Sequence, residues 1–403
     1  MPEAATAPIG SIPHAALTDP YPYYESLRAA GRVHRLNTPI GLEAWFVPHY
    51  EDARPLLTDP RFSKAAHHSD VVREDGQKAE SSFADNMVST DPPEHTRLRK
   101  LVQKAFTRRR IELLRPRVER FTDDLLDRME RAGEAELMED FSYPLPMMVI
   151  GELLGIPVED LADLRHKSVF WFLEEDYAGN PVDHFRARQA AIGEYVRGLI
   201  EHRRSHPNDD LIQGLIEARD GENRLSEKEL VATVMLLIFA GFLTTVNLIT
   251  NGVHALVRNP GQQAKLVAQP DLIGSAVEEF LRYDSSLSLI EGHAKQDIEI
   301  GGTVIPADSL IIVPVHSVNR DPQAFPDPHR LDITRNPNPH LAFSHGVHHC
   351  LGAPLARLEA QVAITALLRR FPDMALACDP AEVRWHRDFF QRSLHALPLR
   401  LKP

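Results

Sequence analysis

Phe343-Ser344-His345-Gly346-Val347-His348-His349-Cys350-Leu351-Gly352 is the stretch on which the reading of this chain turns. A glycine four residues before Cys350 and another two residues after it predict a loop. An apolar, helix-period pattern follows directly, at Leu351, Leu355, Leu358, Val362 and Leu367. The thiol is therefore expected at a helix N-terminus, where unpaired N–H groups and the positive end of the helix dipole favour a thiolate. Gly346 and Gly352 let the backbone approach a flat, bulky group without a Cβ in the way. A thiolate with one open face suits an axial metal ligand. Three other readings use the same residues. His345, His348, His349 and Cys350 are zinc-type ligands, although neighbours such as His349 and Cys350 point apart and close a tetrahedral site poorly. A cysteine nucleophile would need a histidine brought near by the fold, and a buried cysteine can be inert.

Composition bounds the rest. Within 403 residues no Gly/Ser-rich linker, repeat or low-complexity run divides the chain, so one domain over residues 1–403 is expected. A net charge of −12 argues against a nucleic-acid partner; the run Arg108-Arg109-Arg110 suits a solvated face or an acidic protein. Two distant cysteines, Cys350 and Cys378, make no disulfide framework and point to a reducing cytoplasm. Met1 to Pro13 has neither a basic nor an apolar signal region, so no membrane anchor is expected there. Leu230 to Val257 has no charged residue and is long enough to span a bilayer. It also carries Thr233, Thr244, Thr245, Asn247, Thr250, Asn251 and His254, which favours a buried central helix.

The pattern predicts a mostly α chain with a small β region. Helices are expected over 19–30, with a cap at its start, over 49–57, and from Asp91, an acidic N-cap with Pro92 and Pro93 in the first turn. More helices run from Ile111 to about His202. Strands are expected at Trp45-Phe46-Val47 and near 297–313. One long helix is predicted over about 227–258. Ser226 and Glu229 form its capping box and Leu225 and Leu230 its hydrophobic staple, and it would span roughly 48 Å.

The spacing of Phe343, Gly346, His348, Cys350 and Gly352 resembles the haem loop of the cytochrome P450 family, and further matches run from about residue 19 to about residue 400. The resemblance implies a single-domain cytochrome P450 fold with haem b, iron protoporphyrin IX, between the long central helix and the cysteine-loop helix. Cys350 would bind the iron, with Gly346 and Gly352 beside the cofactor. Phe343 would flank the sulfur, and His348, His95 and Arg99 would reach the haem propionates. Glu279 and Arg282 would form a buried network with a downstream arginine, matched here by Arg330. The polar stretch 63–90 and the aromatic-rich stretch Val169-Phe170-Trp171-Phe172 would cover the substrate pocket. Leu289, Ile290, Glu291, Phe389 and Phe390, with Phe242 and Leu243, would contact substrate.

Two departures from the family stand out. In Ala240-Gly241-Phe242-Leu243-Thr244 the small residues would leave room for dioxygen and Thr244 keeps the hydroxyl, but Leu243 stands where the family usually has a proton-feeding acid. Gly292 stands near the position of a propionate arginine, with His293 as the candidate replacement. The resemblance implies a soluble bacterial monooxygenase that oxidises a small organic molecule in secondary metabolism. The chain has no flavin or nicotinamide fingerprint and no iron–sulfur cysteine set, so electrons would come from a ferredoxin and a ferredoxin reductase. Leu243 leaves open a peroxide-driven or atypical oxidation, or a non-catalytic haem sensor or carrier.

Overall fold

Leu310-Ile311-Ile312-Val313 is a continuous apolar run with three β-branched residues, the composition of a strand buried on both faces. Leu310–Pro314 is such a strand, inside a six-stranded sheet. The order across that sheet is Gly10–Ser11, His34–Asn37, Glu43–Phe46, Leu310–Pro314, Leu289–Ala294 and Phe62–Ser63. The first pair and the pair joining Glu43–Phe46 to Leu310–Pro314 are parallel; the others are antiparallel. Period-two alternation gives the sheet two apolar faces. Ile290, Ala294, Ile311, Val313 and Phe62 pack on one, with Leu57 and Leu341. Leu289, Ile312, Phe46 and Phe389 pack on the other, with Tyr24 and Leu27.

The computed structural model describes residues 10–65, 85–103, 106–168, 181–217 and 225–402. Most of the stretch 63–90 and all of Val169-Phe170-Trp171-Phe172 lie outside the described residues. The chain forms two compact units. One comprises Met1–Lys64, Asn247–Cys350 and Leu367–Pro403, and holds the sheet; the other comprises Ala65–Val246 and Leu351–Ala366. The second unit is built of helices, among them Glu94–Gln103, Arg108–Ala132, Pro144–Leu154, Pro181–Ser205 and Glu227–Gly241. Leu98, Leu126, Phe141, Leu145 and Ile150 are among the large, fully buried side chains of its core.

Several local expectations change. The first of these helices runs over Tyr21–Ala30 behind Pro20, with no side-chain cap. The helix expected from Asp91 starts at Glu94, and Pro92-Pro93 forms a cis peptide ahead of it rather than a first turn. The capping box is present as read: the Ser226 N–H donates to Glu229 Oε2 at 2.6 Å, and the Glu229 N–H donates to Ser226 Oγ at 3.2 Å. The long helix, however, is not continuous. Glu227–Gly241 ends, Phe242 adopts φ −123 and ψ −49, and Leu243–Val257 begins. Over its whole length Glu227–Val257 is apolar and long enough to cross a membrane, but 83% of its most apolar window is buried inside the protein.

Candidate functional site

The cysteine loop is held by its backbone. Ser344 and Gly346 adopt positive φ, 61° and 75°, and the Cys350 N–H donates to the Phe343 carbonyl at 2.9 Å. A Cβ at Gly346 would lie 2.7 Å from the Leu57 carbonyl oxygen and 3.1 Å from Thr58 Cγ2, so only glycine lets the loop sit against this segment. A short 3₁₀ turn covers Gly346–His348, and the following helix, Ala353–Arg370, begins three residues after Cys350. Cys350 is part-exposed, and His348 likewise. Among the described residues no three His, Cys, Asp or Glu side chains gather as a metal site, so the zinc reading has no donor set. A single thiol, with imidazole and guanidinium groups for carboxylates, is the donor chemistry of a thiolate-ligated haem.

In the strand Leu289–Ala294, successive side chains alternate between faces. Leu289, Glu291 and His293 share one, and Ile290, Gly292 and Ala294 the other. His293 therefore points away from the face that a side chain at 292 would occupy, and it does not replace the expected arginine. Gly292 is glycine for a local reason: a Cβ there would lie 2.4 Å from Phe62 Cζ and 2.8 Å from the Ser63 carbonyl oxygen. Leu289 and Phe389 pack in one apolar cluster with Phe390 against it, Ile290 belongs to the opposite cluster, and Glu291 is exposed. The turn that carries the two phenylalanines is pinned by Asp388, whose Oδ1 accepts from the N–H groups of Phe390 at 2.7 Å and Gln391 at 3.2 Å. Burial pushes that carboxyl up to about 6.

The buried charge network also needs correction. Glu279 and Arg282 are fully buried and paired, Nε to Oε2 at 2.8 Å and Nη2 to Oε1 at 2.7 Å. The second guanidinium belongs to Arg335, whose Nε reaches Glu279 Oε2 at 3.1 Å, not to Arg330. The loop exposes the Arg330 side chain and offers only its carbonyl, 3.3 Å from an Nη2 of each of the other two arginines. Asn338 Nδ2 at 3.2 Å and the Asp332 N–H at 2.9 Å complete five hydrogen bonds to Glu279. Arg335 lies five residues past the sequence match, and an irregular loop has no period from which to count.

In the helical unit the break at Phe242 has a side-chain cause. Thr244 Oγ1 donates to the Ala240 carbonyl at 3.1 Å, while the N–H groups of Thr245 and Val246 both turn to the Phe242 carbonyl at 2.9 Å. Threonine bonded to the carbonyl four residues back bends helices in this way. Gly241 contributes a close approach, since a Cβ there would lie 2.7 Å from Ile150 Cδ1. Ala240 is exposed and Gly241 and Thr244 are part-exposed between the buried stretches 230–239 and 245–253, so these residues face an opening. Phe242 and Leu243 are 0% exposed. They point from the other sides of the same turn into packed protein, and the expectation that they contact substrate is withdrawn.

His95 and Arg99 share one face of Glu94–Gln103. His95 is buried, and burial together with the Arg99 cation holds its imidazole below the ordinary histidine range. Sequence reading overlooked Glu359, which is 1% exposed on the cysteine helix. Its Oε2 has no hydrogen-bond partner, and burial pushes the carboxyl up to about 8. A signal was present, because Glu359 sits inside the apolar stripe between Leu355 and Val362.

The family model "Cytochrome P450" matches residues 43–373. The cytochrome P450 monooxygenase PikC of Streptomyces venezuelae is 44% identical over 97% of this chain and 93% of its own length. The 6-deoxyerythronolide B hydroxylase of Saccharopolyspora erythraea is 39% identical over 95% of this chain and 96% of its own. Among solved structures, the P450 monooxygenase TamI bound to tirandamycin C is 41% identical, with a TM-score of 0.88 over 97% of this chain and all of that one.

Proposed function

The chain belongs to the cytochrome P450 family and is a haem b monooxygenase, and from that premise we propose that it oxidises a small organic natural product in bacterial secondary metabolism. Dioxygen is the oxidant, and electrons come from a separate ferredoxin and its reductase in the cytoplasm. The chain acts as one domain, in keeping with a family match that runs through residues of both compact units. The observation that carries this reading is the cysteine loop: a part-exposed thiol on a backbone fixed by Gly346 and the Phe343 carbonyl.

Each residue then has a task. Cys350 would hold the haem iron through its thiolate, with Phe343 near the sulfur and Gly352 admitting the cofactor without a side chain in the way, and the haem would supply the redox chemistry. His348, His95 and Arg99 hold the propionate carboxylates through charge-assisted or neutral hydrogen bonds. Ala240 and Gly241 leave space for dioxygen. Thr244 holds its hydroxyl proton on the Ala240 carbonyl and releases that bond to donate towards dioxygen. Leu243 carries no proton and faces packed protein, so protons arrive through water or through a polar group of the substrate on the Thr244 side. Leu289, Phe389 and Phe390, with Glu291 on the same strand face, shape the substrate end, whereas Ile290 packs in the opposite cluster and keeps no substrate role.

Turnover reconstituted with a ferredoxin and its reductase tests this. Leu243→Glu changes the share of reducing equivalents recovered in product; identical turnover and coupling in that variant removes the claim that this position limits proton supply. Product formed with peroxide but not with the reductase system favours the peroxide-driven reading that Leu243 keeps open, and a protein that binds ligand without turnover under either is a sensor or carrier.

A further inference from the structure

Gly292 leaves the cofactor short of one cation, and the neighbouring strand supplies one. Phe62–Ser63 pairs antiparallel with Leu289–Ala294, Phe62 opposite Ala294 and Ser63 opposite His293. Lys64 follows the end of the strand, and one more step in that register would set it opposite Gly292. Residues directly opposite in an antiparallel pair project to the same face, so Lys64 stands on the face that a side chain at 292 would have used. The contacts agree. The Phe62 ring lies over Gly292, at 2.4 and 2.5 Å from where a Cβ would be, and Lys64 Nζ is 5.9 Å from the centre of that ring. This is also the sheet face on which Leu57 packs, with Phe62 and Leu341, and the Leu57 carbonyl is what Gly346 of the cysteine loop rests against. The lysine and the loop are thus on one side of the sheet.

We propose that Lys64 is a haem-binding residue that holds a propionate carboxylate in place of an arginine at position 292, with the Phe62 ring occupying the path such an arginine would take. The exchange is self-consistent. A flexible four-carbon stem beginning one strand further away reaches the carboxylate as a point charge, and the residue directly opposite must then be small. The proposal rests on the haem-thiolate reading and deepens it, because a propionate contact has no meaning without the cofactor.

The test is haem transfer from the intact holoprotein to excess apomyoglobin, followed by absorbance, for wild type and for Lys64→Gln and Lys64→Arg. Loss of one charge-assisted contact is expected to speed haem release about tenfold in Lys64→Gln, with Lys64→Arg close to wild type. A second arm reconstitutes both proteins with protohaem dimethyl ester, whose propionates are neutral; the gap between Lys64→Gln and wild type should then close. A merely structural lysine would leave the gap unchanged with the ester. Equal release of native haem from wild type and Lys64→Gln overturns the proposal, as does a gap that persists with the ester. If wild type itself contains no thiolate haem, the functional reading fails first and separately. Wild-type haem release in Lys64→Gln with weakened binding of a carboxylate-bearing substrate would move the lysine to the substrate and also overturn the assignment.

Discussion

Glu279 and Glu359 are the same residue type at the same depth, 0% and 1% exposed, and they live under opposite conditions. Glu279, in the sheet-bearing unit, takes five hydrogen bonds and is matched by the guanidinium groups of Arg282 and Arg335. Glu359, on the cysteine helix in the helical unit, has an Oε2 with no partner. Burial sets the desolvation cost for both; the number of donors decides whether the carboxyl can keep its charge. Glu279 is accordingly half of an ion-pair cluster, whereas burial pushes the Glu359 carboxyl up towards its neutral form.

Removing one member of the matched cluster is the strongest way to break this contrast. Glu279→Ala leaves the buried Arg282 guanidinium and the part-exposed Arg335 without their carboxylate and should cost about 3–5 kcal/mol, read as a lower denaturant midpoint and as protein purified without haem. Normal stability and full haem content would contradict the network.

The unmatched acid is tested by pH, and its sign is opposite to that of the usual carboxylate. Unfolded, Glu359 has the ordinary glutamate value of 4.5; in the fold, burial pushes it up to about 8. Between those values the unfolded state binds fewer protons than the folded one, so the fold loses stability as pH rises through that window and the loss levels off above about 8. Glu359→Gln should remove on the order of 2–4 kcal/mol of that loss. Denaturation midpoints of wild type and Glu359→Gln at pH 5 and pH 8 measure it, and parallel pH dependence in the two proteins would mean that Glu359 has a partner.

A finer comparison lies inside the matched cluster. Arg335→Ala should cost about 1–3 kcal/mol, since it removes a charged hydrogen bond to a buried carboxylate, and Arg330→Ala within about 0.5 kcal/mol, as for an exposed surface residue. Equal losses would return the cluster to the arrangement expected from sequence.

The contrast also marks what was legible beforehand. Spacing along regular elements could be read: the cysteine loop and its helix, the capping box of Ser226 and Glu229, and the acid and arginine three apart on a helix are all local. Arg335 was missed because it arrives through an irregular loop, where the same carbonyl-rich turn serves either arginine. The break at Phe242 was missed because the apolar pattern stays helical across it, while the cause is one hydroxyl, Thr244 Oγ1, bonding back to Ala240. His293 was misplaced by ignoring strand alternation, a rule the sequence did contain. Phe242 and Leu243 were misplaced because sharing a motif with Thr244 does not mean sharing its face.

The most direct test of the account is the absorption spectrum of the purified protein, resting and reduced under carbon monoxide, for wild type and Cys350→His. The account predicts a thiolate-haem spectrum in wild type that is lost in Cys350→His while haem stays bound. A wild-type spectrum without thiolate ligation, or an unchanged spectrum in the variant, would contradict it.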